Sequence, residues 1–289
     1  MTPGRAACAG APRAVVFGEA LVDVFPDQEV VAGAPLHVAV HLAARGWLAW
    51  LVTRIGNDAA GARIRDLLER FGVETSLIEV DPALPTGRAT VEIAGDDHGF
   101  VIHRPAAWDA IAGPARLPPH DALAYGTLAA RDERSRSTLE RLLATSSAPL
   151  RVFDVNVRPP DVSREVLELG LGVATVLKVN GGELEVVAAL LDFAPVPESY
   201  FAVAPSLEWL CITRGEEGAE LYARLGETWA IERISLDVVD TVGAGDAFTA
   251  GLLDALVHGY GGEQVLWAAQ AAAASVLTCR GGLPAPRAS

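Results

Sequence analysis

The strongest constraint on the fold of this chain is a regular alternation of short apolar strands with helical segments. Apolar runs predict strands at residues 14–17, 47–55, 150–153, 175–177 and 210–213. Helical patterns lie between them, at residues 35–44, 61–70, 135–143, 162–169 and 183–191. Strands that alternate with helices form a parallel sheet, because each helix carries the chain back across one face. The sequence therefore predicts an α/β fold, a three-layer sandwich with a mostly parallel central sheet.

Two stretches depart from this alternation and predict a second, smaller sheet. Apolar and polar residues alternate with a period of two over residues 88–93. Residues 95–99 are expected to form a turn, and residues 100–103 the second strand of a hairpin. Residues 24–31 are expected to be extended as well. We expect lid strands inserted at about residues 24–33 and 86–104, lying over the site. The exposed edge of such a sheet would also permit a homodimer.

Composition limits the compartment and the partners of the chain. Residues 1–12 are expected to form a loose tail before one domain over residues 13–289, and no run has the ~18 apolar residues of a membrane span. No signal peptide is evident, so a cytoplasmic protein is expected. The net charge of −14 argues against nucleic acid or an anionic membrane as main partner. The three cysteines form neither a metal spacing nor a disulfide framework.

The glycine-rich turn at residues 240–246 carries the clearest chemistry. Gly243, Ala244 and Gly245 have almost no side chain, so their amides can close on an anion. The apolar run that follows predicts a helix, whose first amides and dipole favour negative charge. Asp246 would repel an anion, and it is better explained as a base that takes the proton of a hydroxyl attacking phosphorus. The turn therefore predicts phosphoryl transfer.

Two common nucleotide-binding designs are excluded by the lysine content. Lys178 is the only lysine, and it is followed by Val179 and Asn180 rather than by Ser or Thr. The P-loop and the protein kinases each require a lysine in their own sequence setting. No Gly-x-Gly-x-x-Gly follows the first strand, so a dinucleotide fold has no local support.

The ordered motifs resemble those of the ribokinase-like (PfkB) carbohydrate kinase family, and its fructokinase branch most of all. Residues 240–246 resemble the C-terminal signature, residues 18–23 the first-strand block, residues 154–158 the fructokinase Asp-x-Asn-x-Arg block and residues 180–183 the Asn-x-x-Glu block. The similarity extends from about residue 14 to residue 286. It implies a ribokinase-like fold and ATP-dependent phosphorylation of a sugar hydroxyl.

The resemblance also implies roles for individual residues. Catalysis would use Asp246 with the amides of Gly243, Ala244 and Gly245. Sugar binding would use Asp23, Gly33, His37, Arg104 and Arg158. The nucleotide side would use Asn180, Thr213, Gly215, Gly218 and Gln270. Glu183, together with Asn180, would place Mg²⁺ largely through water, and Asp240 would help to bind a monovalent cation such as K⁺.

Several of these residues have a simpler structural interpretation. Asn180 and Glu183 have the spacing of a helix capping box, which is compatible with a metal role. Arg104 and Arg158 could be surface ion-pair arginines. The chain departs from the family pattern at Ala32 and His37, where the family has a glycine and an asparagine. His37 and His41 share one helix face, but no third metal ligand is evident nearby.

The acceptor and the class of function leave alternatives open. Fructose is the first choice, and a 2-keto-3-deoxy sugar acid is second because Arg104 and Arg158 could grip a carboxylate. A nucleoside is third. A Schiff-base lyase would need Lys178 buried with a depressed pKa. A catalytically silent sugar-binding protein on the kinase scaffold is the remaining alternative.

Overall fold

The computed structural model describes residues 10–94, 97–234, 236–278 and 281–284, without the side chains of residues 91–94 and 97–99. The strands are β1 (Arg13–Phe17), β2 (Leu21–Val24), β3 (Glu29–Ala32), β4 (Leu48–Gly56), β5 (Ile78–Asp81), β6 (Gly87–Ala94), β7 (Asp97–Ile102), β8 (Ala122–Tyr125), β9 (Leu150–Asp154), β10 (Val176–Asn180), β11 (Trp209–Thr213), β12 (Ala219–Ala223) and β13 (Thr228–Ile231). The helices are α1 (Ala34–Ala44), α2 (Ala59–Arg70), α3 (Glu133–Thr145), α4 (Arg164–Val173), α5 (Gly181–Leu191), α6 (Pro197–Val203), α7 (Ala244–Val257) and α8 (Gly262–Leu277).

The central sheet has nine strands in the order β13-β12-β11-β10-β9-β8-β1-β4-β5. Its neighbours are parallel except at β11–β12 and β12–β13, which pair antiparallel. Successive side chains of a strand point to opposite faces. In β1, Ala14 and Val16 pack with α1, α7 and α8, whereas Val15 and Phe17 pack with α3, α4 and α5. The predicted three-layer α/β architecture is therefore confirmed.

The second sheet has the order β3-β2-β6-β7, with β2 and β6 parallel and the other pairs antiparallel. Residues 24–31 were expected to be one extended run, and this expectation is wrong. The chain reverses there, because the amide of Phe25 donates to the carbonyl of Gln28 at 2.9 Å. The intervening Pro26 and Asp27 are typical turn residues. At the β6–β7 turn, residues 95 and 96 lie outside the described residues.

The small sheet is attached to the main body through a buried arginine. The guanidinium of Arg131 lies 3.9 Å from the ring centroid of Trp108, and it pairs with Asp109 at 2.8 Å and Asp161 at 3.0 Å. It also donates to the carbonyl of His103, just beyond β7, at 2.9 Å. At the other end of the hairpin, a Cβ on Gly87 would lie 2.2 Å from the Trp108 indole nitrogen. Both ends of the β6–β7 hairpin are therefore fixed at one place.

Two further expectations concerned the N-terminal tail and membrane-spanning helices. Residues 1–9 of the expected tail lie outside the described residues. In the parts of the chain that the structure describes, every helix is too short or too polar to cross a bilayer.

Candidate active site

The predicted site residues cluster at the carboxyl edge of the central sheet. The strands β9, β10 and β11 are neighbours and parallel, so Asp154, Asn180 and Thr213 end at the same edge. In open α/β sheets this edge is the one that forms ligand crevices. The helix α7 begins at Ala244 and packs against α1 and β9, which brings the glycine-rich turn to the same edge.

The start of α7 has the conformation that an anion site needs. Gly243 is the N-cap residue with φ +74°, and a Cβ there would lie 2.7 Å from the carbonyl oxygen of Gly282. Only glycine accommodates both the left-handed conformation and this close approach. The amide of Ala244 donates to Thr241 O at 3.3 Å, whereas those of Gly243 and Gly245 have no partner among the described residues. Among the described residues, the amides of Gly243 and Gly245 are therefore unpaired donors at the positive end of the helix.

Asp246 lies in the first turn of α7 and is hydrogen-bonded to a residue of α1. Its Oδ2 lies 2.9 Å from Nδ1 of His37, and the two side chains are only 15% and 4% exposed. A carboxylate can only accept, so the imidazole must carry a proton on Nδ1. The second nitrogen of His37 is buried without a partner among the described residues. The structure shows a bond from His37 to Asp246, and the sugar contact that the sequence predicted for His37 stays a prediction.

Acidic groups dominate the surroundings of His37. Burial raises the pKa of Asp23 to about 6, although His37 and Arg158 act in the opposite direction. Burial likewise raises the pKa of Glu19 to about 7, with Arg158 lowering it and Asp246 raising it. The guanidinium of Arg158 thus acts on both Glu19 and Asp23, while His37 acts on Asp23 and bonds to Asp246.

The other predicted sugar-binding residues differ in their availability. Gly33 has φ +125°, and a Cβ there would lie 2.7 Å from Glu19 O. Arg158 is exposed and donates to Val157 O at 3.1 Å. Arg104 forms an ion pair with Asp161, which is the structural interpretation considered for it above.

A cavity of about 380 Å³ opens on the other side of the α7 start. Most of the predicted nucleotide-side residues line it together with the glycine-rich turn: Thr213, Gly215, Gly218, Gln270, Ala244 and Gly245. Its volume lies within the range of roughly 300–1,000 Å³ that is usual for ligand pockets. One of the lining residues, Gln270, has a buried Oε1 without a partner among the described residues. Asn180 is not part of the lining.

The Asn180–Glu183 pair forms a capping box at the start of α5. Asn180 Oδ1 accepts the amide of Glu183 at 2.8 Å, and Glu183 Oε2 accepts the amide of Asn180 at 2.8 Å. The other oxygen of Glu183 accepts the amide of Val157 at 2.9 Å. Each carboxylate oxygen keeps a lone pair, so the group fits a metal-bound water better than a direct metal bond.

Histidine and carboxylate clusters of the kind that bind metals directly are lacking in the described residues. No three His, Cys, Asp or Glu side chains are grouped for a metal ion there. His41 bonds to Gly282 O at 2.9 Å while His37 bonds to Asp246, so the two histidines have separate partners. Asp240 holds the amides of Val242 and Gly281, each at 3.0 Å.

Lys178 does not satisfy the requirement of a Schiff-base lyase. It is buried as that chemistry needs, but its Nζ lies 3.0 Å from Asp154 Oδ1. Burial lowers the pKa of Lys178, but Asp154 and Glu183 outweigh it and hold the pKa above its ordinary value. A protonated amine is no nucleophile. Asp154, the partner of Lys178, is the first residue of the 154–158 motif, and its role was not predicted from the sequence.

Comparisons with known proteins bear on the family and the fold of the chain. A family model described as pfkB family carbohydrate kinase matches residues 12–287. A fructokinase from Klebsiella pneumoniae is 33% identical over 266 residues, which cover 84% of each chain. A double mutant of a fructokinase from Vibrio cholerae, solved with fructose, ADP and a potassium ion, superposes with a TM-score of 0.78 at 23% identity over 96% of this chain and 95% of that one. An aminoimidazole riboside kinase from Salmonella enterica, solved with aminoimidazole riboside and an ATP analog, gives 0.78 at 24% identity over 95% and 96%.

Proposed function

This chain belongs to the pfkB family of carbohydrate kinases, and on that premise we propose that it transfers the γ-phosphate of ATP to a hydroxyl group of fructose. One observation carries the proposal. The first turn of α7 joins two compartments: Ala244 and Gly245 line the 380 Å³ cavity, while Asp246 bonds to His37 beside the buried acids. A nucleotide in the cavity would present its terminal phosphate to the helix start, and the acceptor would lie against the carboxylate.

The chain's own groups supply the proposed chemistry. Asp246 takes the proton as the acceptor hydroxyl attacks, and a positioned base of this kind typically contributes ~10²–10⁴-fold. The free amides of Gly243 and Gly245 face the charge that develops on the transferred phosphoryl group. Mg²⁺, held through water by Glu183, would neutralise phosphate oxygens. The small sheet acts as a lid that excludes water, which would otherwise compete as acceptor.

The charge of the acceptor side favours a neutral sugar over a sugar acid. Three carboxyl groups, those of Glu19, Asp23 and Asp246, share this region. Of the two arginines considered for a carboxylate, Arg104 is already paired with Asp161, which leaves Arg158. A polyol donates hydrogen bonds to carboxylates, whereas a sugar acid would meet repulsion. The 2-keto-3-deoxy sugar acid therefore ranks behind fructose, and a nucleoside stays the third choice.

Turnover with four acceptors tests this proposal. ADP formation is measured with fructose, 2-keto-3-deoxygluconate, ribose and adenosine, each against a control without acceptor. We expect the highest kcat/KM with fructose. Preference for the sugar acid would reassign the substrate, and sugar binding without sugar-stimulated ADP release would support the silent sugar-binding protein.

The raised pKa of Asp23 predicts that kcat/KM for fructose falls at acidic pH. A carboxyl group accepts two sugar hydroxyls only when ionised, and its pKa is raised to about 6. On the acid side of that pH, kcat/KM for fructose should fall about tenfold per pH unit. Asp23→Asn should have a lower kcat/KM at pH 8 and lose this limb. Glu19→Gln is the control, because a limb that vanishes in this variant would belong to Glu19, whose pKa is about 7.

The bond from His37 predicts that Asp246 needs a hydrogen-bond donor at this position for full turnover. The Nδ1 proton of His37 occupies Oδ2 and leaves the other oxygen for the acceptor hydroxyl. His37→Leu should lower kcat by roughly 10-fold or more, because a base that loses its fixed orientation loses alignment with the hydroxyl. His37→Asn keeps a donor and should retain most of kcat. Steady-state kinetics on both variants decides, and equal losses in both would remove this role from His37.

Further proposals concern ions, assembly and location. We assign the monovalent cation to the turn at Asp240, whose two carboxylate oxygens are held by the amides of Val242 and Gly281.

We also propose a homodimer through the small sheet, where Phe100 and Val101 on β7 are exposed. A nucleic acid or membrane partner is not part of the proposal, because the net charge is −14. A cytoplasmic location stays a prediction.

A further inference from the structure

The single lysine of the chain lies beneath the glycine-rich turn and is not used by the mechanism above. Lys178 is the third residue of β10, at the carboxyl edge of the sheet, and it is only 7% exposed. Its Nζ lies 3.0 Å from Oδ1 of Asp154, at the end of the neighbouring strand β9. A buried charge needs such a partner, because desolvation would otherwise neutralise it.

The carboxylate of Asp154 connects this lysine to α7. Its second oxygen accepts the hydroxyl proton of Thr249 at 2.6 Å. The same hydroxyl oxygen lies 3.0 Å from the carbonyl oxygen of Gly245. Thr249 therefore links the ion pair to the first turn of α7, within one helical turn of Asp246.

The ammonium group also packs directly against that first turn. A Cβ built on Gly245 would lie 3.4 Å from Nζ of Lys178. Within the ion pair, the cation therefore lies toward the first turn of α7, and the anion lies toward Thr249 in the second turn. The positive end of the pair adds to the positive end of the helix.

This orientation is unfavourable for the helix alone. A cation near a helix N-terminus opposes the macrodipole, whereas an anion bound there is favoured. A buried ion pair is weak evidence of stability, since apolar residues of similar size are often as stable or more stable. Such an arrangement is understandable if a bound anion compensates it. Sites where a local rule is broken are often functional sites.

We propose that Lys178 is a positioning residue for phosphoryl transfer, whose ammonium group, held by Asp154, fixes the first turn of α7 and adds positive charge beneath the amides that face the phosphoryl group. The inference rests on the proposed function and adds one group to it. This group is a cation that approaches the phosphoryl site from the side of the central sheet, behind the start of α7.

A double-variant cycle separates this role from a structural one. Lys178→Met alone leaves a buried, unpaired carboxylate, which destabilises the fold. Lys178→Met/Asp154→Asn removes both charges and keeps an acceptor for Thr249. If the pair only balances charge, the double variant should recover the turnover of the wild type. If the ammonium serves the reaction, the double variant should remain slow although it folds.

The expected result is a folded double variant with impaired chemistry. Its Tm should be no lower than that of the wild type, its kcat roughly 10²-fold lower, and its KM for fructose little changed. The double variant removes one positive and one negative charge, so the net charge of the chain is unchanged. Arg70→Met is the control for the loss of one positive charge in Lys178→Met, because Arg70 is exposed in the last turn of α2, beside the Phe71 ring and away from the carboxyl edge. A double variant whose kcat is within about threefold of the wild type overturns the proposal.

A spectroscopic measurement answers the same question without turnover. Protein labelled with ¹⁵N-lysine gives one side-chain Nζ signal, because the chain contains one lysine, and its loss in Lys178→Met assigns it. We expect the signal to shift when ADP with aluminium fluoride is added, and to shift little with fructose alone. Nucleotide binding, shown by calorimetry, without a shift of this signal refutes the inference. A wild type that binds nucleotide and shifts the signal but phosphorylates no sugar instead refutes the proposed function.

Discussion

Asp246→Asn should lower kcat by ~10²–10⁴-fold, because the amide cannot take a proton from the acceptor hydroxyl. Asparagine has nearly the shape of aspartate and keeps a side-chain oxygen for the Nδ1 proton of His37. The amides at the start of α7 are unchanged, so the affinity for ATP should be nearly that of the wild type. The measurements are steady-state kcat with fructose and calorimetric titration with ATP.

Asp254→Asn provides the matched control on the same helix. Asp254 lies about two turns further along α7 and accepts the indole N–H of Trp47 at 2.7 Å, a bond that an asparagine oxygen can still accept. We expect kcat to change little in this variant. An Asp246→Asn protein that turns over at nearly the wild-type rate would remove the general-base role from this residue.

Gly243→Ala should combine a loss of stability with a large loss of turnover. The residue has φ +74°, and the new Cβ would lie 2.7 Å from the carbonyl oxygen of Gly282, so the loop must move. Left-handed backbone disfavours alanine by about 1–2 kcal/mol, and the displaced loop adds to this. Removal of one preorganised donor in comparable sites lowers kcat by roughly 10²–10³-fold, and a similar loss is expected here.

Gly259→Ala separates backbone strain from the geometry of the site. Gly259 follows the C-terminal end of α7 with φ +73°, but a Cβ there would meet nothing within 4 Å. This variant should lose a comparable amount of stability from the left-handed backbone and keep its kcat. Thermal unfolding and steady-state kinetics of the two variants give the comparison. Equal kcat in Gly243→Ala and Gly259→Ala would exclude the turn from the phosphoryl site.

The sequence predicted the central architecture well because its signals are local. The strands β1, β4, β9, β10 and β11 and the helices α1 to α5 lie close to their predicted positions. Apolar runs and helical periodicity depend only on residues close together in the chain, so they can be detected without knowledge of the fold. The elements β5, β8, β12, β13, α6 and α8 were not predicted. The strands and α6 are short and carry too few residues for a clear period. The longer α8 is rich in alanine, so few polar residues mark its exposed face.

The candidate site was predicted as a set of motifs rather than as a geometry. The resemblance identified the glycine-rich turn, the acid that follows it and the Asn180–Glu183 pair. It did not predict that His37 would bond to Asp246, which is 209 residues away in the chain. For Arg104 the sequence left a substrate contact and a surface ion pair open, and the structure shows an ion pair with Asp161. Such contacts depend on how α1 and the small sheet dock on the central sheet.

By itself, the sequence determined the layered α/β fold, the family and the residue types available for phosphoryl transfer. Only the tertiary structure decided which of these groups meet: His37 with Asp246, and Lys178 with Asp154 beneath Gly245. The physical reason is the range of the forces involved. Backbone periodicity acts between near neighbours in the chain, whereas hydrogen bonds and ion pairs need side chains from distant segments to approach within about 3 Å.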